Sequence, residues 1–218
     1  LKSIITFLKS YLLFIDTETS GIPQRWNRPY SDEKNWPHVI QVAWIVYEVN
    51  GTEVKRTSKY IYEDDIEISP ASYGVHGITS VFLKQYGNKR KEVLRKLTHD
   101  IQKYKPIIIG HFVELDVQVL SADYYRANLK NPFIGQSFFC TMLDSEKYAA
   151  NPSTTYLRLP QLHEYLFDNS LTEIHEAEQD ASATARCFFE LCGRREITEL
   201  DIERQQKMFS QKLNFLDK

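Results

Sequence analysis

The chain has 218 residues, of which 42% are hydrophobic and 13% aromatic, enough apolar surface to fill one substantial core without division into several domains. Its net charge of −2 excludes a broadly basic duplex binder, since such domains carry a pI above ~9. A nucleic-acid end held in a cleft remains open, because bound divalent cations reverse the sign of an acidic pocket. Cys140, Cys187 and Cys192 form no C-x-x-C pair and no even framework, so they read as free thiols of a reducing compartment. Lys2 and Lys9 interrupt the first apolar stretch well before the ~18 residues a membrane span needs. The expectation is a cytoplasmic protein with no membrane partner.

Tyr11-Leu12-Leu13-Phe14-Ile15 is a short apolar run bounded by polar turn residues, as for a buried strand, and it ends at Asp16. A second run, Val39 to Val49, meets Asn50-Gly51, and the alternating segment Thr52 to Tyr62 follows, so the dipeptide predicts a hairpin. The segment Pro23–Pro37 between the first two strands mixes Trp26, Tyr30 and Trp36 with Arg25, Arg28 and Lys34. That mixture suits stacking bases and neutralising phosphates, and equally a surface loop packing its own aromatics.

Leu94, Leu97, Ile101 and Tyr104 recur at helical spacing, Pro106 breaks the pattern, and Ile107-Ile108-Ile109-Gly110 predicts another buried strand. A helix is predicted from about Asp116 to Leu129, a short strand from Phe138 to Thr141, and helices over Leu159–Phe167 and Glu176–Cys192. The resulting order is βββαβαβα. A charged amphipathic helix over about residues 196–216 either packs back on the core or docks on a partner, the former being the simpler reading.

Asp16-x-Glu18 is cheap as a pattern, since Asp144-x-Glu146 and Asp201-x-Glu203 repeat it. Its setting separates it: alternate residues of a strand share a face, so Asp16 and Glu18 converge where a buried strand surfaces, before Thr19-Ser20-Gly21 turns the chain. His-x4-Asp is equally cheap, occurring as His111…Asp116, His163…Asp168 and His175…Asp180. Asp116 falls at a strand-to-helix junction, the usual ligand crevice of an α/β sheet, although capping alone also explains an Asp there. His163 and Asp168 sit in a packed helix and read as surface decoration. In His175-Glu176-Ala177-Glu178-Gln179-Asp180-Ala181, small alanines flank the aspartate where a helix must approach the sheet closely.

With these motifs in order, the chain resembles the DnaQ-like, or DEDDh, 3′→5′ exonucleases, among them the proofreading epsilon subunits of bacterial DNA polymerase III. The resemblance covers about residues 10–193 and rests on Phe14-Ile15-Asp16-Thr17-Glu18-Thr19-Ser20-Gly21, Gly110-His111-Phe112-Val113-Glu114-Leu115-Asp116 and His175 to Ala181. Val75-His76-Gly77-Ile78-Thr79 is similar to the epsilon-type segment that lies against the terminal nucleotide, and Thr141 matches the threonine after the last strand. It implies a ribonuclease-H-like α/β fold, a mixed five-stranded sheet flanked by helices, in a single exonuclease domain over 1–218. Two departures stand out: the family often has Asn where this chain has Phe112 and Phe where it has Leu115, and the segment Pro23–Pro37 is longer than the family's usual link between the first motif and the second strand.

All-oxygen ligands favour Mg²⁺ or Mn²⁺ over Zn²⁺. The resemblance implies two such cations, one held by Asp16, Glu18 and Asp180, the other by Asp16 and the scissile phosphate with Asp116 reaching it. His175 is the candidate general base, since an unperturbed imidazole pKa near ~6.5 suits proton acceptance. Thr19, His76, Gly77, Ile78 and Phe112 are the candidate substrate contacts. The implied function is hydrolysis of terminal phosphodiesters of DNA to 5′-mononucleotides, in proofreading or repair, on single-stranded or frayed ends and possible only with a free 3′ end. A DNA polymerase is a candidate partner. The rival readings are an exoribonuclease trimming RNA 3′ ends and a catalytically silent nucleic-acid-binding module.

Overall fold

In the computed structural model, which describes residues 10–149, 155–169, 171 and 176–213, strand β1 runs over Tyr11–Thr19. It extends past the apolar run because the next strand continues to pair with it as far as Thr19. β2 (Val39–Glu48) lies antiparallel to β1, and β3 (Glu53–Tyr60) antiparallel to β2 across the Asn50-Gly51 turn. Two short helices follow, α1 (Pro70–His76) and α2 (Ser80–Tyr86), then α3 (Arg90–Tyr104) and β4 (Ile107–Gly110). Next come α4 (Val113–Arg126), β5 (Ser137–Cys140), the single turn α5 (Thr141–Asp144), α6 (Leu159–Phe167), α7 (Ala177–Gly193) and α8 (Glu199–Lys212).

The strand order is β3-β2-β1-β4-β5, with β1, β4 and β5 mutually parallel, which is the mixed five-stranded sheet the resemblance implies. Period-2 alternation along β1 builds a core on each face. Leu13 and Ile15 pack with Val93, Leu97, Val117 and Leu120 of α3 and α4, whereas Leu12 and Phe14 pack with Leu162, Phe188 and Leu191 of α6 and α7. Phe14 is fully buried, edge-on to Phe188 at 5.6 Å, and burying a side chain of that size stabilises by about 1.5–3 kcal/mol.

Two local features aim the sheet's end. The β1–β2 register shifts between Glu18 and Thr19, a bulge that ends regular pairing beside the carboxylates. A Cβ added at Gly110 would lie 3.0 Å from the Val113 Cβ and 3.2 Å from the Ile15 carbonyl, so any larger residue there would have to push α4 or β1 aside by a few tenths of an ångström.

Several expectations change in detail. The chain has α1 and α2 where no helix was predicted, although Ser69 and Thr79 cap them by accepting from the Ser72 and Phe82 amides at 3.1 Å each. α4 starts at Val113, three residues before the predicted Asp116, because Phe112 in left-handed geometry already turns the chain into the helix. α8 packs back on the core. Its Gln205 accepts from the Cys140 amide at 2.8 Å and donates to the Cys140 carbonyl at 3.1 Å, satisfying the edge of β5, while Phe209 packs on Phe138. The last residues of the predicted 196–216 helix, 214–216, lie outside the described residues. The three cysteines are free and buried.

Two readings resolve or reverse. In the Pro23–Pro37 loop, Tyr30 and Trp36 are buried, so that segment does pack its own aromatics, and Trp26 alone of the three stays exposed. His163 is not surface decoration: it is 1% exposed, with Nδ1 2.9 Å from the Asn169 carbonyl, because α6 turns it inward with Leu159, Leu162 and Leu166. No described helix is long and apolar enough to cross a membrane.

Candidate active site

The alternation that buries Leu12 and Phe14 carries Asp16 and Glu18 out onto the α7 face at the strand's end. α7 comes close there because Ala177 and Ala181, both fully buried, pack on Ala43 and Ile45 of β2. Its first turn therefore delivers Asp180 to the same point. One carboxylate oxygen each from Asp16, Glu18 and Asp180 lies within 4.8 Å of the others.

Asp116 arrives from the opposite helical layer, in the first turn of α4, and is 4% exposed. Its Oδ1 accepts from the Thr17 hydroxyl at 2.7 Å, and Thr17 is the β1 residue between Asp16 and Glu18 that faces the other way. Asp116 stands outside the trio but within its field. Burial first, then Asp116, Asp180 and Glu18, raises the Asp16 carboxyl well above its ordinary range. Burial, then Asp180 and Asp116, pushes Glu18 up to about 8. Burial pushes Asp116 to about 7, opposed by the hydrogen bond from Thr17.

Among the described residues, the charged neighbours that bear most on Asp16 and Glu18 are carboxylates, Glu176 among them. An all-oxygen set of mutually repelling, desolvated carboxylates is the donor chemistry of a hard divalent cation, and the trio fits one.

Around this centre the chain is tightly fixed. Glu176 caps α7 by accepting from the Gln179 amide at 3.1 Å and also accepts from the Gln41 amide group at 2.5 Å. His111 shares hydrogen bonds with the Thr141 hydroxyl and the Leu157 carbonyl, both at 3.0 Å, and burial lowers its pKa to about 4, so it is a neutral structural link. The reading of Thr141 as the residue after the last strand therefore acquires a partner.

The remaining sequence candidates stand as follows. The Thr19 hydroxyl donates to the Gly21 carbonyl at 2.6 Å. His76 ends α1, Gly77 follows in left-handed geometry at φ 67°, and the Ile78 amide donates to His76 Nδ1 at 3.0 Å. Ile78 itself is 8% exposed and packs in the core with Leu83. The Ser69 amide donates to the Ser20 carbonyl at 2.8 Å, so the start of α1 is tied to the end of β1. Phe112 adopts φ 78°, ψ 41°, at the start of α4. His175 lies outside the described residues. Thr17 and Glu176 went unassigned at the sequence level. Thr17 lay inside the first motif, and its role is visible only once Asp116 is placed against it.

The family model described as exonuclease, RNase_T, matches residues 13–188. The chain belongs to this exonuclease family. No curated protein matches it. Among solved structures it is similar to Escherichia coli exonuclease I in complex with a dT13 oligonucleotide, at 19% identity and a TM-score of 0.68, covering 86% of this chain and 42% of that one. It is also similar to the zinc-bound E. coli exonuclease I–ssDNA complex, at 20% identity and 0.69, covering 86% and 41%. Exonuclease I from Methylocaldum szegediense gives 18% and 0.65, covering 85% and 41%. The chain thus spans about two fifths of the length of these proteins, and the likeness is one of fold.

Proposed function

We propose that this exonuclease-family chain acts as a single 3′→5′ exonuclease domain on DNA, removing 5′-mononucleotides with two divalent cations, Mg²⁺ or Mn²⁺. The convergence of Asp16, Glu18 and Asp180 within 4.8 Å, with Asp116 beside them, carries this reading. In it the trio holds one ion, and Asp16 with Asp116 serves the second. When bound, the ions supply Lewis-acid stabilisation of the negative charge that develops on the phosphodiester oxygens.

The chain's own residues supply position and proton transfer. β1 and α7 bring three carboxylates to one point, and Thr17 orients the fourth. His175 immediately precedes Glu176, the cap of the helix that carries Asp180, and on that spacing it accepts the proton of the attacking water. The P–O3′ bond to the penultimate nucleotide then breaks, and the 3′ oxygen leaves on the shortened strand, taking a proton from solvent water. Thr19, His76, Gly77, Ile78 and Phe112 surround the site in this reading as contacts to the terminal nucleotide, and a DNA polymerase is the partner that proofreading implies. The oligonucleotide in the exonuclease I complexes supports single-stranded DNA as the substrate here.

The test is digestion of 5′-labelled single-stranded DNA, mismatched-primer DNA and RNA of one sequence with Mg²⁺ or Mn²⁺. A ladder shortening stepwise from the 3′ end of DNA, abolished by chelation, is the expected result. Faster turnover of RNA reassigns the substrate to RNA ends. Cuts in a circular substrate overturn the exonuclease direction altogether.

A further inference from the structure

The Pro23–Pro37 loop presents one large exposed aromatic against the start of α4, the helix whose first turn carries Asp116. Trp26 is 42% exposed, and its ring lies 5.7 Å from that of Phe112, inclined at 53°. Behind it stands buried Trp36, edge-on at 6.4 Å. Phe112 is four residues before Asp116, and the pairing of Phe14 with Ile109 sets the end of β4 alongside Asp16 on β1.

An exposed indole on a mobile loop would mean little, but this loop is held throughout. The Asn35 side chain and Arg25 backbone exchange two hydrogen bonds, at 2.8 and 2.9 Å. The Trp36 indole donates to the Arg28 and Pro29 carbonyls, the Tyr30 hydroxyl to Gln118 of α4, and Arg126 of α4 to the Trp36 and Pro37 carbonyls. Trp26 is therefore presented by a loop anchored to the same helix that positions Asp116. Phe112 contributes its ring at a cost in backbone strain, since a non-glycine residue at φ 78° is unfavourable, and such strain gathers at functional positions. Arg25 is exposed next to Trp26, and with Lys34 it lines a shallow 280 Å³ recess on the loop.

We propose that Trp26 and Phe112 form an aromatic ledge on which an unpaired base of the substrate strand stacks beside the carboxylate site, with Arg25 and Lys34 receiving the adjacent phosphates. A flat π-face tolerates every base, so the ledge reads strandedness rather than sequence. In a duplex an internal base is stacked on both faces and a terminal base is held by its pairing partner, so the ledge favours single-stranded or frayed ends. Its pre-organisation means that little loop entropy is lost on binding. This subsite rests on the proposed nucleic-acid substrate.

Binding is measured by the anisotropy of a fluorescently labelled short oligothymidylate in an Asp16→Asn background, and cleavage is measured in the otherwise unaltered protein. Trp36 and Trp44 are buried, so quenching of tryptophan fluorescence in the Asp16→Asn parent should report Trp26. Trp26→Ala should weaken binding ~5- to 100-fold and raise KM more than it lowers kcat. Trp26→Phe should restore most of the affinity, and Phe112→Gly, which keeps the left-handed backbone free of strain, should weaken binding in the same direction. An oligonucleotide bearing abasic positions should bind the parent as weakly as the intact one binds Trp26→Ala. DNA cleavage with Trp26→Ala affinity unchanged overturns the ledge and leaves the exonuclease reading standing. Quenching by oligonucleotide without any cleavage supports the ledge and overturns the exonuclease reading. Neither binding nor cleavage overturns both.

Discussion

The Thr17 hydroxyl, on the strand that carries two of the four clustered carboxylates, donates at 2.7 Å to Asp116 Oδ1 on the opposite helical layer, 99 residues away in sequence. With a second bond from the Thr17 backbone, it joins the two halves of the site across the sheet end. Replacing Thr17 with Val keeps its shape and removes the donor. The Asp116 carboxyl, already at about 7, should rise further, because the bond from Thr17 favours its charged form. Losing this side-chain donor, while the Thr17 and Asp116 backbone amides remain, should cost about 1 kcal/mol of stability. In chelator, the pH window over which Tm falls should move to higher pH, and Thr17→Ser should restore it. A window unchanged in Thr17→Val would dissociate the Asp116 titration from this bond.

The clustered carboxylates make the metal-free protein a poor host for its own charges. Glu18 at about 8 and Asp116 at about 7 bind protons more tightly folded than unfolded, where carboxyls titrate near ~4. The folded state is therefore favoured below that range and loses the advantage as pH rises through 7 and 8. Thermal unfolding in chelator should show a falling Tm across this window, and Mg²⁺ should reverse the loss. Glu18→Gln should stabilise the metal-free protein by about 1–3 kcal/mol at pH near ~9 while shrinking its response to Mg²⁺. A Tm independent of pH from 4 to 9, roughly the interval between the two titrations, would contradict the repulsion.

Asp16→Ala and Asp180→Ala each remove one of three convergent oxygens without opening the core. Each should lower turnover by ~10³-fold or more and abolish the Mg²⁺-dependent rise in Tm while leaving the circular-dichroism spectrum of the fold intact. Calorimetric titration with Mn²⁺ checks the first step directly. Binding unaltered in either variant would remove these residues from the metal site.

The parts of this site that sequence made legible are those governed by short-range periodicity. Alternation on β1 placed Asp16 and Glu18 on one face, and the alanines around Asp180 announced a helix lying close to the sheet. The strands and the long helices followed from the same periods. What escaped was set by tertiary contact or by a neglected cap. α1 carried a readable start in Ser69-Pro70 and a stop in Gly77, but its side chains make no buried stripe, so no helical period signalled it. His163 was misread because its packed partners, Leu162, Leu166 and Phe167, identify a buried face only when the turn of α6 is known. The partnership of Thr17 with Asp116 and the burial of Trp36 depend on segments far apart in sequence, which local patterns do not encode.

The last expectation contrasts two histidines that share the His-x4-Asp spacing. His175 precedes the capping Glu176 and, in the proposed function, accepts a proton from water, so His175→Ala should lower turnover by about 10²- to 10⁴-fold while leaving Mn²⁺ affinity and oligonucleotide affinity nearly unchanged. The acidic limb of the pH–rate profile should weaken, since a protonated imidazole accepts nothing. His163 is instead a core residue, 4.7 Å from the Phe167 ring and hydrogen-bonded to the Asn169 carbonyl at 2.9 Å. His163→Ala should therefore cost about 2–4 kcal/mol of stability through the cavity and the lost bond, read as a lower Tm, with turnover per folded molecule retained. The pair separates chemistry from folding: one variant is stable and slow, the other unstable and active. Should His175→Ala lose Mn²⁺ binding rather than turnover at saturating Mn²⁺, the imidazole is a ligand and the base must be sought elsewhere. Should His163→Ala lose turnover as severely as His175→Ala at a temperature where both are folded, spacing alone has misassigned the base.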